Sequence, residues 1–312
     1  MTRDLRVLGF GSIAVDDILY VDRPLHAGKG RVIDRLTDHG GNVATALVAV
    51  AKLGGRAGFI GWLSDQPLND LCARELERHG VDTSLAPRRP DARPIQAIIT
   101  VGSDGERFIA YDDAVPHGTS DSITDSTLAQ AKVLMVDGYA THSHSIVARA
   151  RKLGLAVVAD IEWTIGPATD ALLALCDHLV LPYGFAQSHT GKSNAAGILR
   201  KLWTDDRSAV VLTDGDRGAY VLQNGDPILW HIPAYKVRAV DTTGAGDCFH
   251  GAYTFALTEG KSPIACVLYA TAAAAISVTG QGGRGALPGH SACLARMAGA
   301  DAPAPIAIAQ PS

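Results

Sequence analysis

From residue 5 to about residue 290, short apolar runs of β-forming residues alternate with helices that stop at a glycine. LRVLGFG is followed by NVATALVAVAKLGG, and AGFIGWL by NDLCARELERHGV, which stops at Gly80. AKVLMVDG, SIVARARKLG, LAVVADI, ALLALCDHLVLP and SAVVLTDG continue the series. Strands apolar on both faces must be covered on both faces, and a helix between successive strands makes them parallel. The pattern therefore predicts an α/β fold of three layers, α/β/α, around a mostly parallel sheet. The 312 residues suit one such domain, placed at residues 1–295.

Two segments break the series. Residues 12–38 hold SIAVDDILYVDRP and GRVIDRLTD, which alternate apolar and polar and leave no room for a helix. Residues 94–112, PIQAIITVGSDGERFIAYD, read as a hairpin turning at GSDG. Together they predict a small second β-sheet, inserted where it can cover the C-terminal edge of the main sheet. That edge is where open α/β folds bind ligands. The tail at 298–312, rich in Ala and Pro, is expected to be disordered.

Composition narrows the partners. A net charge of −4 without Lys/Arg runs excludes nucleic acid and an anionic membrane surface as expected partners. Five scattered cysteines with no CxxC fit reduced thiols, hence a cytoplasmic protein. MTRDLRVLGFGS lacks a signal-peptide core. The longest apolar run, ACVLYATAAAAISV, has 14 residues and reads as a buried helix rather than a membrane span.

Three glycine motifs compete for a nucleotide. GFGSIA, from Gly9, matches a dinucleotide fingerprint with Asp34 downstream, but a strand-like run follows it where that fingerprint needs a helix. TGKSN, from Thr190, resembles the end of a P-loop, but Ala186 stands where the first glycine should be, so it reads as a polar turn. DTTGAGD, Asp241 to Asp247, lies between a strand-like run and a helix. Gly244 and Gly246 let backbone N–H groups converge at the helix start, which makes an anion hole. A carboxylate there would repel a resting phosphate. It makes sense if Asp247 holds a hydroxyl and accepts its proton during phosphoryl transfer.

With these motifs in this order, the chain resembles the ribokinase-like (PfkB) carbohydrate kinases over residues 5 to about 290. DTTGAGD resembles that family's C-terminal signature, GGNVATALVAVAKLGG its N-terminal signature, and GSIAVDDI its first strand and lid. The resemblance implies a ribokinase-like fold with a β-sheet lid. It implies Asp247 as catalytic base and the Gly244–Ala245–Gly246 backbone as anion hole. Asp16, Gly40, Gly41, Asn42 and Asp137 would face the sugar. Thr213, Gly215 and Gly283 would lie with Gly244 and Gly246 on the nucleotide side. ATP and Mg²⁺ are the implied cofactors, with a monovalent cation such as K⁺ near Asp241 and Thr243. Relatives often carry Asn-x-x-Glu after the strand that here ends in LVLP, and this chain has YGFAQ instead. Thr45 also replaces the usual Asn of the N-terminal signature.

Within the family the chain looks most like the 6-deoxy-6-sulfofructose kinases. It shares VDTTGAGDxFHGA, the GGxxATA form, the loss of Asn-x-x-Glu, and GGR at Gly282–Arg284. Lys29 in AGKGR matches a lid lysine that would neutralise an anionic sugar substituent. The Arg expected after VLMVD is absent, with His142 or His144 as substitutes. Exposed lid strands would pair with a second copy, giving a homodimer. A ribose, fructose or 2-keto-3-deoxygluconate kinase, a nucleoside kinase and a non-catalytic sugar- or nucleotide-binding protein are the alternatives.

Overall fold

The computed structural model describes residues 5–104 and 106–308. Met1–Asp4 of the N-terminal stretch, Gly105 of the expected hairpin turn and residues 309–312 of the tail lie outside the described residues.

The strands in chain order are β1 (Val7–Phe10), β2 (Ala14–Val21), β3 (Val32–Gly40), β4 (Ala57–Phe59), β5 (Val81–Asp82), β6 (Ile95–Val101) and β7 (Arg107–Asp112). There follow β8 (Val133–Asp137), β9 (Ala156–Asp160), β10 (His178–Pro182), β11 (Ala209–Thr213), β12 (Ala219–Gln223), β13 (Asp226–Ile232) and β14 (Ile306–Ile308). The helices are α1 (Asn42–Lys52), α2 (Pro67–Arg78), α3 (Asp125–Leu128), α4 (His144–Lys152) and α5 (Pro167–Leu175). The remainder are α6 (Tyr183–Thr190), α7 (Ala195–Leu202), α8 (Ala245–Thr258), α9 (Pro263–Ser277) and α10 (His290–Met297).

The main sheet runs β14-β13-β12-β11-β10-β9-β8-β1-β4-β5. From β11 to β5 every neighbouring pair is parallel, and β12, β13 and β14 add antiparallel strands at one margin. Successive side chains of a strand point to opposite faces, and the two cores follow that rule. Val133 and Met135 of β8 pack into one core with α1, α8 and α9, while Leu134 and Val136 enter the other with α4, α5 and α7. This is the three-layer α/β/α architecture expected from the sequence.

Residues 12–38 and 94–112 supply the second sheet, ordered β3-β2-β6-β7. β2 and β6 pair in parallel although 81 positions separate their first residues, Ala14 and Ile95, which oppose each other in register. GFGSIA runs from β1 straight into β2 without a helix, which removes the dinucleotide reading. TGKSN is a turn: Gly191 caps α6 in the left-handed region, and Asn194 caps α7 through Oδ1, which accepts from Gly197 N at 2.9 Å. The disordered tail needs correction at residues 306–308, where β14 pairs antiparallel with β13. Alternating Ala and Ile gave that run enough β character to extend the sheet. No described helix is long and apolar enough to cross a membrane.

Candidate active site

The parallel strands end their C-termini beneath the small sheet, and the acidic groups collect there. Gly41 starts α1 with φ +92, and a Cβ on it would press on the Ser12 carbonyl and Ile13 Cα, so only glycine fits. That tight turn lets Asn42 N donate to Ser12 Oγ at 2.8 Å. The Ser12 hydroxyl donates to Asp137 Oδ2 at 2.8 Å, and Ser12 N and Tyr139 N donate to the same carboxylate at 2.6 and 3.0 Å. Asp137 is fully buried at the end of β8. Burial pushes its carboxyl up to about 6, although these three hydrogen bonds pull the other way.

Asp16 faces the same region from lid strand β2, opposite Asp38 of β3. Burial and then the Asp38 charge raise it to about 6, against the Arg284 guanidinium. Gly40 leaves the space that the Asp16 carboxylate fills. At the end of β9 a further carboxylate joins them. Asn42 Nδ2 donates to Asp160 Oδ2 at 3.2 Å, while Asp160 Oδ1 is buried with no hydrogen-bond partner among the described residues. Burial, then Glu162, hold Asp160 well above the usual carboxylate range.

DTTGAGD forms the opposite wall. Gly244 adopts φ +69 and packs on Gly283 so closely that a Cβ would come 2.7 Å from Gly283 Cα. Ala245 N reaches the Thr242 carbonyl at 3.3 Å, but no backbone carbonyl among the described residues accepts from Gly244, Gly246 or Asp247 N–H. The N–H groups of Gly244 and Gly246, and with them that of Asp247, thus lack a backbone acceptor among the described residues, while that of Ala245 faces Thr242 O. Free N–H groups at the start of the 14-residue α8 make a site for an anion. Among the described residues nothing donates a hydrogen bond to the Asp247 carboxylate, which leaves it open to a hydroxyl. Burial first, then Asp160 and Glu162, push it well above its ordinary value, with His250 and Arg284 opposing. His250 is clamped between Gly246 O and Val180 O, each at 2.8 Å, which fixes the first turn of α8 over β10.

Asp241 accepts from Thr243 N at 2.8 Å and Gly282 N at 3.0 Å. Burial acts to raise its carboxyl, but these hydrogen bonds outweigh it and hold it below the usual range. Gly283 N donates to Asp38 Oδ2 at 3.0 Å, tying the lid to the same loop. Thr213 ends β11 and Gly215 opens the next turn with φ +57, at the same edge of the sheet.

Lys29 is the expected residue that the fold does not bring in. It sits exposed in the turn beyond the Val21–Val32 pair that ends the β2–β3 ladder, whereas Asp16 lies toward the other end, near Gly40. His144 is engaged with Ala168 O at 3.0 Å, and His142 lies beside His117 at 5.7 Å. Several groups in the site were given no role from the sequence, although Arg284 ends the GGR run. Asp160 ends an ordinary buried strand. Arg284, only 8% exposed, donates to Gly40 O at 3.1 Å and Thr45 Oγ1 at 3.3 Å. Tyr139 stacks on His117 at 3.7 Å and meets Trp163 at 4.8 Å, forming an aromatic wall beside Asp137.

Gly246 offers a separable test of the anion hole. A Cβ there would meet no protein atom within 4 Å, so only a ligand would feel it. Gly246→Ala is expected to keep or raise the melting temperature, because alanine gains about 0.5–1 kcal/mol over glycine in a helix. Turnover should fall at least about tenfold, the effect of roughly 1.4 kcal/mol lost at the anion. Steady-state kinetics beside a thermal melt would check both.

An anion hole at a helix start, an unbonded carboxylate above it and a lid over both suit group transfer to a hydroxyl. Relatives agree. The chain is 27% identical over 306 residues to a ribokinase of Haemophilus influenzae, covering 92% of this chain and 96% of that one. It is 26% identical over 317 residues to fructokinase-1 of Zea mays, covering 92% and 96%. The crystal structure of a ribokinase from Thermotoga maritima superposes with a TM-score of 0.78 at 26% identity, covering 94% of this chain and 99% of that one. The profile of the pfkB family carbohydrate kinases matches residues 4–289. The chain thus belongs to the pfkB family of carbohydrate kinases and is a phosphotransferase acting on a sugar hydroxyl.

Proposed function

We propose that the protein transfers the γ-phosphoryl group of ATP to a hydroxyl of a small, ketose-like sugar. The observation that carries this reading is the unbonded Asp247 carboxylate set beside free N–H groups at the start of α8. In this reading Asp16, Asp137 and Asn42 orient the sugar hydroxyls, since one carboxylate can accept from two neighbouring hydroxyls. The α8 N-terminus and the Gly244–Gly283 contact receive the phosphates, with Thr213 and Gly215 toward the nucleotide. Mg²⁺ favours oxygen ligands and keeps much of its water. Asp160, with an orphaned buried oxygen, and Glu162 fit a role beside it, while ATP phosphates would supply other ligands. Mg²⁺ would neutralise charge on the phosphates. A K⁺ ion at Asp241 and Thr243 would have to share the Thr243 hydroxyl with Arg107, which donates to it at 2.7 Å.

The finer reading is an anionic ketose such as 6-deoxy-6-sulfofructose. Within one chain Lys29 does not support it; Arg284, whose charge reaches Asp16, does. A nucleoside acceptor is the second reading, favoured by the wall of Tyr139, His117 and Trp163. Homodimerisation through the lid is supported by exposed Ile33, Ile98 and Phe108. Light scattering should give twice the chain mass, and Phe108→Asp should return it to the single-chain mass.

The deciding experiment is ADP release from Mg-ATP with ribose, fructose, fructose 6-phosphate, 2-keto-3-deoxygluconate, 6-deoxy-6-sulfofructose and a nucleoside. A ketose should give the highest kcat/KM, and an anionic one would place Arg284 in substrate selection. Preference for the nucleoside would replace the ketose reading with the second.

A further inference from the structure

α8 starts at the anion hole, and its other end faces a cavity of about 390 Å³. Phe255 lies eight residues beyond Asp247, about 12 Å along the helix, so the cavity is separate from the phosphoryl-transfer site. Its walls are Phe255 and Ala256 of α8, Ala265 and Tyr269 of α9, and Leu294 and Met297 of α10. His290 adds a third ring, and the centroids of Phe255, Tyr269 and His290 are 5.5 to 5.8 Å apart. The Tyr269 hydroxyl and His290 Nδ1 are hydrogen-bonded at 2.8 Å, so the polar tips of these two rings satisfy each other. What remains is an aromatic and aliphatic surface, with Leu294 48% exposed to water. Covering such a surface is favourable for any apolar group that fits it.

Two charged residues, Glu259 and Lys261, complete the lining, and they are not equivalent. Glu259 Oε1 accepts from Arg6 Nη1 at 2.8 Å, so its charge is already answered. Lys261 is exposed and forms no ion pair among the described residues. The cavity therefore combines an apolar body with one unanswered positive charge. A mostly apolar pocket of a few hundred Å³ with few polar groups is the usual form of a small-molecule site. A cavity of about 150 Å³ holds benzene, so this one has room for a fused bicyclic ring with a short side chain. We propose that the cavity is a second ligand site, apart from the sugar and nucleotide sites, and that it takes a small aromatic carboxylate. The ring lies against Phe255 and Tyr269, where edge and offset contacts between rings add to the gain from burial. The carboxylate faces Lys261.

The test is isothermal titration of the full chain with 1-naphthylacetate and with its neutral amide, 1-naphthylacetamide. The acid should bind at one site with a Kd below about 1 mM, within reach of a ligand of this size. The amide keeps the ring without the charge and should bind about three- to fivefold more weakly, the worth of one exposed ion pair. Lys261→Gln should erase that difference and leave the affinity for the amide unchanged. Leu294→Glu, at a position already open to water, should keep the fold and weaken the acid at least about tenfold, by lost apolar contact and like charge. Asp247→Asn and saturating ADP should leave both affinities as they are. The proposal falls if neither probe saturates up to about ten times that concentration, or if acid and amide bind the native protein equally. It falls also if Leu294→Glu binds the acid as well as the native protein does. Displacement of the acid by ADP or by a sugar would place it in the active site and overturn the second site, leaving the kinase reading untouched.

Discussion

Asp247→Asn is expected to lower kcat by about 10²- to 10⁴-fold, the usual worth of a positioned proton acceptor, while the sugar KM changes little. The amide keeps the shape of the carboxylate but cannot take the proton. Most substitutions at a catalytic centre confound chemistry with folding, and this one separates them. No described residue donates a hydrogen bond to Asp247, so none is orphaned by the change. Burial and the neighbouring Asp160 and Glu162 make its charge unfavourable in the folded state. Removing that charge should raise the melting temperature at neutral pH as activity collapses. A variant that lost both would mean that Asp247 supports the loop rather than the reaction.

The second large effect concerns acid. The kcat/KM for sugar should fall as pH drops through about 6, where Asp16 and Asp137 take up protons and lose acceptor capacity. Asp16→Asn should cost about 10²-fold or more in kcat/KM, since hydrogen bonds to a charged group are worth about 1.5–3 kcal/mol each. It should also remove one proton from the acid limb, reducing the limiting slope of log kcat/KM against pH by one. An unchanged slope would mean that Asp16 does not meet the sugar as a carboxylate. The effect on stability has the opposite sign. Asp137 binds its proton more tightly folded than unfolded, so its contribution to stability is greatest below 3.8 and is lost as pH rises to about 6. The cost is on the order of a few kcal/mol. The same group thus favours the fold in acid and sugar binding near neutrality.

Much of this site was legible because its parts are local. Gly40, Gly41 and Asn42 are contiguous, and Gly41 can be recognised because a positive φ and a close backbone contact both demand glycine. DTTGAGD likewise places two glycines and a carboxylate at one helix start. The alternation of β2 and β3 gave the lid, because period-two patterning survives without knowledge of the partner strand. What stayed hidden depends on pairing across long sequence separations. Nothing in VGSDGERF indicates that parallel pairing of β2 with β6 will carry Arg107 to Thr243. Asp160 and Arg284 gain their character from burial, which spacing does not encode. Lys29 illustrates the converse: its neighbours suggest a substrate contact, but the β2–β3 register leaves it beyond the end of the ladder.

The short β14 strand has a consequence for the protein's solubility. Its three residues cover the hydrogen-bonding edge of β13 from Leu229 to His231. Without them β13 would present unpaired N–H and C=O groups next to Ile228, which is already 39% exposed. Such an edge is a template for another chain. Ile306–Ile308 thus act as a guard against self-association at the β13 margin of the main sheet. A chain shortened to end at Met297 should still bind its substrates, but should scatter light and lose monodispersity on concentration.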